Sequence, residues 1–310
     1  AYGTQNRRQN RILITAAAMS VFLLYAAFAI AYGKIRSDYL IDVRGMGTVA
    51  TVSLERGSQT QYEQMRQLSY LEDVGVKKTA GTGTYEDSWA GNLVYLDDTA
   101  YEKLMVPAYT DVVGTYPRKE NEVMLSAASL EQMGISRPEP GMEIDLTAVL
   151  ENGTEDSISF LLSGYYTDYI DFSVAEPEAY VSGQFLEAYD IPVFPADKVM
   201  AASGMGQAAV DVERNLYADL TMEEEAQQVF SENPMAKQSV EGVFGSVSIA
   251  AGCGILVVLC AFMLIFNVIS ITMGRNIRQY GMLKVLGTTD IQLKGIVFRQ
   301  NFRNIGMGIL

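Results

Sequence analysis

The hydrophobic positions of this chain are concentrated in two long runs. No charged side chain occurs between Ile12 and Gly33 or between Gly242 and Gly274, which are stretches of 22 and 33 residues. A helix needs about 20 apolar residues to cross a bilayer, so each run is long enough to span one. We therefore predict a membrane protein with transmembrane helices at residues 12–33 and 242–274.

Between these runs, short β-rich stretches alternate with short helical ones. The Asn152–Gly153 pair, between apolar stretches at residues 142–150 and 157–165, is a strong hairpin signal. Capping residues predict helices, the last from Thr221 to Phe230. The pattern indicates an α+β domain over residues 34–241, with two lobes. The strands are predicted at residues 48–54, 74–79, 92–96, 122–125, 142–150, 157–165 and 179–181, and the helices begin at Ser58, Asp97 or Asp98, Ser126, Ser182 and Thr221.

The C-terminal part has a helix, break, helix pattern. Ile277, Tyr280, Leu283 and Leu286 recur at helical spacing on one face. Gly287 is suited to end the first helix, and Thr289 with Gln292 forms a capping box for the second. We predict a cytoplasmic hairpin at residues 275–304. The apolar run that begins at Ile305 predicts the start of a third membrane helix at 305–310, and hence an N-terminal fragment of a longer membrane protein.

Charge predicts how the chain is oriented. Residues 1–11 and 275–310 carry nine Lys and Arg against one acid, Asp290, whereas the segment between the runs has a large acidic excess within a total net charge of −14. Positive charge near membrane ends marks the cytoplasmic side. We therefore expect a basic cytoplasmic segment at residues 1–11, cytoplasmic termini, and an extracytoplasmic domain in the plasma membrane of a bacterium.

The composition excludes several classes of function. The chain has no His, which removes Ser-His-Asp and Cys-His nucleophile systems and imidazole zinc sites. The acidic excess argues against nucleic acid as a partner. Its two cysteines, Cys253 and Cys260, lie in the second apolar run, so the outer domain must be stable without disulfides. No catalytic residue and no metal site are predicted.

The chain also lacks a phosphate-binding loop. No GxxxxGK[ST] sequence occurs, so any ATPase must be a separate subunit. Small residues in the second run allow another helix to approach closely; the candidate packing positions are Ser248, Ala250, Gly252 and Gly254.

The segment QYGMLKVLGTTDIQL at residues 279–293 resembles the FtsX/MacB-type permeases of ABC transporters. That family has an acidic residue, a hydrophobic residue and Gly before a Leu-basic-x-Leu/Ile-Gly core, whereas Gln279 stands here where Glu is common. RQNRILITAAAMSVFLL at residues 8–24 resembles the entry to the first span in the Gram-positive branch. VMLSAASLEQMG at 123–134, PGMEIDL at 140–146 and FLLSGYY at 160–166 are similar to the MacB periplasmic core domain. The core matches are Gly281, Leu283, Lys284, Leu286 and Gly287.

The resemblance implies a permease subunit that couples ATP hydrolysis by a partner ATPase, which binds ATP and Mg, to movement of the outer domain. The implied substrates are peptides, lipoproteins or antimicrobial compounds, and the implied partners are an ABC ATPase, a second permease copy or half, and membrane lipid. Two alternatives stay open: a two-span sensor or receptor, and a non-transporting regulator of cell-wall enzymes. The C-terminal helix has two interpretations, binding at the lipid interface or contact with the ATPase. The expected coupling residues are Ile277, Tyr280, Gly281, Leu283, Lys284, Leu286, Gly287 and Thr288.

Overall fold

A computed structural model describes most of the chain. It covers residues 7–86, 88–170, 176–203, 209–223, 227–232 and 251–260, and short pieces between 262 and 299. The chain divides into two compact units, one made of residues 1–36 and 243–310 and the other of residues 37–242.

The helical segments of the first unit lie where the two apolar runs occur. Helix α1 extends from Arg7 to Met46, which is longer than the predicted span of 12–33, and residues 251–260 are helical. Within the part of the chain that the structure describes, no helix reaches the length and mean hydropathy that crossing a membrane requires. The two spans therefore stay predictions.

The second unit is α+β, as the alternating pattern predicts. In the described part of this unit, ten strands form one sheet, and short helices accompany them. The helices are α2 (Gln59–Met65), α3 (Ala127–Gln132), α4 (Gly183–Ala188) and α5 (Ala209–Asp219). The strands are β1 (Val52–Gly57), β2 (Leu71–Tyr85), β3 (Ser88–Leu96), β4 (Thr110–Gly114), β5 (Glu122–Ser126), β6 (Glu143–Leu150), β7 (Glu155–Thr167), β8 (Glu178–Val181), β9 (Ala196–Ser203) and β10 (Phe230–Glu232).

Six of these strands close into a ring, in the order β2, β3, β8, β5, β7, β6 and back to β2. The β3–β8 and β5–β7 pairs are parallel and the other four are antiparallel. Side chains from the strands, including Leu93, Leu146 and Phe160, share one core with Leu130 of α3 and Phe185 of α4. Ser126 and Ser182 cap α3 and α4, as predicted, by accepting N–H groups of the first turn.

The long strand β2 belongs to the ring and to a second layer. Its first half pairs with β9, which pairs with β1, and β1 pairs with β10. Helices α2 and α5 cover this part with a separate core that includes Leu54, Met65 and Leu216. The predicted capping box at Ser58 is present, since Ser58 and Gln61 bond reciprocally.

The helix predicted from Thr221 to Phe230 is wrong. Residues 221–223 are not helical, and Phe230 begins β10. The Gln228 side chain accepts the Glu223 N–H at 2.9 Å and donates to the Arg56 carbonyl at 2.8 Å. These bonds and the pairing of Phe230 with Leu54 favour an extended chain over helix propensity.

Candidate functional site

The C-terminal segment turns at Gly287, where the pattern predicts the end of a helix. Gly287 has φ of +94°, and the Leu286 N–H donates to the Met282 carbonyl at 3.1 Å. A residue with a Cβ is strained in this left-handed conformation, whereas glycine is not. Gly287 therefore ends one helical segment and directs the chain into the next.

The next segment begins with the predicted capping box. The Thr289 N–H donates to Gln292 Oε1 at 3.2 Å, and the Gln292 N–H donates to Thr289 Oγ1 at 3.4 Å. Both distances are within the range of a hydrogen bond, and each bond satisfies a backbone N–H group that has no partner within the helix. The second half of the hairpin thus starts at a defined residue.

Apolar side chains before the turn are open to solvent. Met282, Val285 and Leu286 are 63%, 89% and 82% exposed, respectively. Of these, only Leu286 was expected from the sequence to contact a partner. The structure also describes the expected coupling residues Gly281 and Gly287; Ile277, Tyr280, Leu283, Lys284 and Thr288 lie outside the described residues.

One of the predicted packing positions has a helix neighbour. A Cβ on Gly254 would lie 3.0 Å from Cζ of Phe28 in α1, so glycine allows this close approach. Nothing lies within 4 Å of such an atom on Gly252. Ser248 and Ala250 are outside the described residues.

A tyrosine cluster, missed at the sequence level, lies in the outer unit. The Tyr166 ring stacks between those of Tyr109 and Tyr180, at centroid distances of 4.3 and 5.2 Å. Tyr101 packs against Tyr116 at 4.5 Å. These residues come from separate elements, so no local spacing signals them; the chain's 18 tyrosines are the only hint in the sequence.

Hydrogen bonds hold the tyrosine hydroxyls in place. Tyr109 and Tyr180 bond to each other, Tyr180 donates to the Glu178 carboxylate at 3.2 Å, and Tyr166 donates to the Glu178 carbonyl at 3.0 Å. Burial, reinforced by nearby Glu178, raises the pKa of Tyr109 and Tyr180 well above the ordinary value, so these hydroxyls stay protonated. Lys77 pairs with the other oxygen of Glu178.

Next to the cluster is a small cavity of about 30 Å³, room for about one water molecule. Its wall includes Tyr109, Tyr180, Asp168 and Glu178. Burial, followed by repulsion from Glu178, raises the pKa of Asp168 above its ordinary value, against the opposing effect of the residue's own backbone N–H. Among the described residues, no cluster of acidic or cysteine side chains has a geometry suited to a metal ion.

The family model of the FtsX-like permease C-terminal domain matches residues 252–310. This segment is therefore similar to the C-terminal part of FtsX-like permeases. The match confirms the resemblance to FtsX-like permeases that the sequence of this segment indicated. The matched range contains Gly287, the capping box at Thr289 and the exposed Leu286. The match describes a permease component rather than an ATPase.

The solved structures to which the chain is similar are distant in sequence. The periplasmic region of MacB from Actinobacillus actinomycetemcomitans is 12% identical, with a TM-score of 0.43 over 64% of this chain and 95% of that one. The extracellular domain of the transporter YknZ from Gram-positive bacteria is 10% identical (TM-score 0.36; 55% and 94% covered). A domain of a putative permease from Porphyromonas gingivalis is also 10% identical (TM-score 0.35; 58% and 86% covered). No curated protein matches the chain.

Proposed function

We propose that this chain is the permease subunit of an ABC transporter and that a separate ATPase binds the hairpin at residues 275–304. The observation that carries the proposal is the FtsX-like match over residues 252–310, which includes this hairpin. Hydrolysis of ATP, with Mg, takes place in the partner and moves the outer domain. A second permease copy and membrane lipid complete the assembly, and the transported class is a peptide, a lipoprotein or an antimicrobial compound.

The exposed apolar side chains before Gly287 support the contact with the ATPase. Leu286 and Val285 are among the most exposed apolar residues described, and burial of a Leu side chain against a partner contributes about 1.5–3 kcal/mol. Basic residues around them, Arg278 and Lys284, suit either an acidic cleft or anionic lipid. The basic residues do not distinguish the two contacts. An acidic substitution at an exposed apolar position does, because it should prevent binding of the ATPase only if that position contacts the ATPase.

The coupling is tested by Leu286→Asp in the full chain, co-expressed with the ATPase of the neighbouring reading frame. An unpaired carboxylate at a buried contact is costly, so co-purification of the ATPase should fall at least tenfold and permease-dependent ATP hydrolysis should be lost. Val112→Asp, an exposed position on β4, is the matched control and should leave both unchanged. Wild-type co-purification with unchanged turnover in Leu286→Asp would contradict the ATPase contact and favour the lipid interface.

The proposed localisation is the bacterial plasma membrane, with residues 34–241 outside the cell. Cys253 and Cys260 can be changed to Ser, after which single cysteines at the exposed positions Gln132 and Val285 report the topology. We expect an impermeant maleimide to label Gln132→Cys in intact cells and Val285→Cys only after lysis. Labelling of Val285→Cys in intact cells would invert the proposed orientation.

A further inference from the structure

One continuous part of the outer unit has only acidic charges. Between Arg137 and Lys198 there is no Lys, Arg or His, whereas 13 residues are Asp or Glu. This segment supplies β6, β7, β8 and α4. Surface charges of both signs are normally interspersed on a soluble domain, so the strands from this segment are unusual in contributing carboxylates and no basic side chain.

Strand register places a defined set of these acids on the outward face of the ring. Trp89 is opposite Thr84, Thr84 is opposite Thr147, and Thr147 is opposite Ser157. Residues directly opposite each other share a face of the sheet, so this row crosses four strands. The neighbours Leu146 and Ala148 on β6 point into the ring core. The row therefore faces outward.

Alternate residues of β6 continue the same face. Glu143 and Asp145 lie on one side of Thr147 and Val149 on the other, and all four are exposed, in contrast to the buried residues between them. Glu155 is opposite Val149 on β7. We call this surface the Trp89 face; its members are Trp89, Thr84, Thr147, Val149, Asp145 and Glu143.

Two apolar side chains stand on this acidic surface. Trp89 is 37% exposed and Val149 is 48% exposed. Trp is the best aromatic partner for a Lys or Arg side chain, and such contacts contribute about 0.5–1 kcal/mol at exposed sites. Among the described side chains of the Trp89 face none is basic. The combination of Trp with carboxylates favours a cationic ligand.

The dimensions favour a polypeptide over a small amine. Alternate side chains of an extended strand are about 6.8 Å apart, so Glu143 and Asp145 match the repeat of alternate side chains in an extended peptide. Four neighbouring strands span roughly 15 Å from β3 to β7, which a single amine cannot cover.

We propose that the Trp89 face docks a basic polypeptide segment in an extended conformation, with Lys or Arg side chains at alternate positions. Its cationic groups pair with Glu143 and Asp145, and a further one lies over Trp89. The proposal concerns the outer unit by itself and goes beyond the permease assignment, since binding requires neither ATP nor the ATPase.

The chain offers its own probe, because Trp89 is its single tryptophan. The full chain in neutral detergent is titrated with the decapeptide (Lys-Thr)5, with (Glu-Thr)5 and with chitotetraose, while Trp89 emission is recorded. We expect a saturable change with (Lys-Thr)5 and no change with (Glu-Thr)5 or the glycan. A response to the glycan without a response to (Lys-Thr)5 would replace the proposal with a carbohydrate site.

Variants can distinguish binding at the Trp89 face from non-specific attraction of the peptide by the net negative charge of the protein. The double variant Glu143→Gln with Asp145→Asn should weaken binding of fluorescein-labelled (Lys-Thr)5 at least tenfold by anisotropy, and Trp89→Ala should weaken it at least threefold. The control, Asp98→Asn with Glu131→Gln, removes the same charge at two exposed positions outside the Trp89 face and should change the affinity less than twofold. Equal weakening by both double variants, with wild-type circular dichroism, would overturn the proposal.

Discussion

The ammonium group of Lys78 lies 2.6 Å from the Glu151 carboxylate, although only 6% of the Lys78 side chain is exposed. The pair lies where β2 changes its partner strand: β2 pairs with β9 as far as Lys77 and with β6 from Gly81 onwards. We call this point the fork. The Thr79 N–H at this gap donates to the Asp197 carboxylate at 2.6 Å, and Asp197 is also 3.6 Å from Lys78. Lys78 thus joins an acid at the end of β6 to an acid at the start of β9.

Loss of this cation should destabilise the outer unit. Lys78→Met keeps the apolar stem but removes the cation with which both carboxylates pair. Because Glu151 and Asp197 are themselves 54% and 37% exposed, we expect the free energy of unfolding to fall by about 1 kcal/mol. Urea unfolding followed by Trp89 fluorescence measures the change. Lys198→Met, at an exposed position on β9, is the control and should shift stability by less than about 0.5 kcal/mol. Equal stability of the two variants would show that the fork does not depend on Lys78.

Closure of the ring should depend on Gly81. A Cβ at this position would lie 2.3 Å from the Val149 carbonyl oxygen and 2.7 Å from the Leu150 Cα, and backbone atoms cannot move aside. Gly81→Ala should therefore cost about 3 kcal/mol or more, measured by thermal unfolding. Gly83→Ala should cost about 1 kcal/mol or less, because the nearest atom to its Cβ would be the end of the Leu93 side chain at 3.3 Å and the nearest backbone atom, the Gly91 carbonyl oxygen, would lie at 3.6 Å. A Gly81→Ala protein as stable as Gly83→Ala would contradict the tight β2–β6 contact.

Asp168 should make the stability of the outer unit depend on pH. Its pKa is raised in the folded state, first by burial, so the folded chain binds the proton more tightly than the unfolded chain does. This contribution lowers stability as the pH rises from the unfolded value of 3.8 through the folded pKa. Asp168→Asn should therefore raise the urea midpoint at pH 7 and leave it unchanged below the unfolded value.

The control for this effect is Asp145→Asn, which removes an exposed carboxylate on β6. Its urea midpoint should follow the wild-type pH dependence. A fall in the midpoint of Asp168→Asn at pH 7 would mean that the Asp168 carboxylate stabilises the fold, against the direction of its pKa shift.

A side chain at Gly287 should destabilise the C-terminal turn. Nothing lies within 4 Å of a Cβ there, so the cost of Gly287→Ala is conformational and amounts to about 1–2 kcal/mol. Hydrogen exchange of the peptide that contains Leu286 and Gln292 should become faster. Gly295→Ala, which also meets no neighbour but is helical, should leave exchange unchanged or slow it. Unchanged protection in Gly287→Ala would show that the left-handed turn is not required.

Local signals in the sequence predicted local features well. The capping boxes at Ser58 and Thr289 and the turn at Gly287 depend on residues at most three positions apart, and the structure contains all of them. The Asn152–Gly153 hairpin is likewise present between β6 and β7. Such features need no information from the rest of the chain.

Features that depend on distant residues were missed. Helix α5 and strand β10 gain their stability from packing and pairing with β1, and the tyrosine cluster assembles from elements far apart in the chain. The fork at Lys78 likewise exists only because Glu151 and Asp197 arrive from two other strands. A local sequence pattern carries no information about contacts between residues that are distant in the chain. It therefore could not predict the strand pairing of β1, the tyrosine cluster or the fork.

The pairing of β1 has a consequence for the order in which the unit folds. Its paired residues on other strands are 196–201 and 230–232, so β1 has no partner strand until nearly the whole unit has been synthesised. Long-range strand pairing pays the entropy of loop closure before it gains contacts, which makes such folding slow. A chain that stops after the ring, near Ser182, leaves the hydrophobic positions of β1 uncovered and prone to aggregate. We therefore expect this domain to remain prone to aggregation after the ring has been synthesised, until β9 and β10 are available to pair with β1.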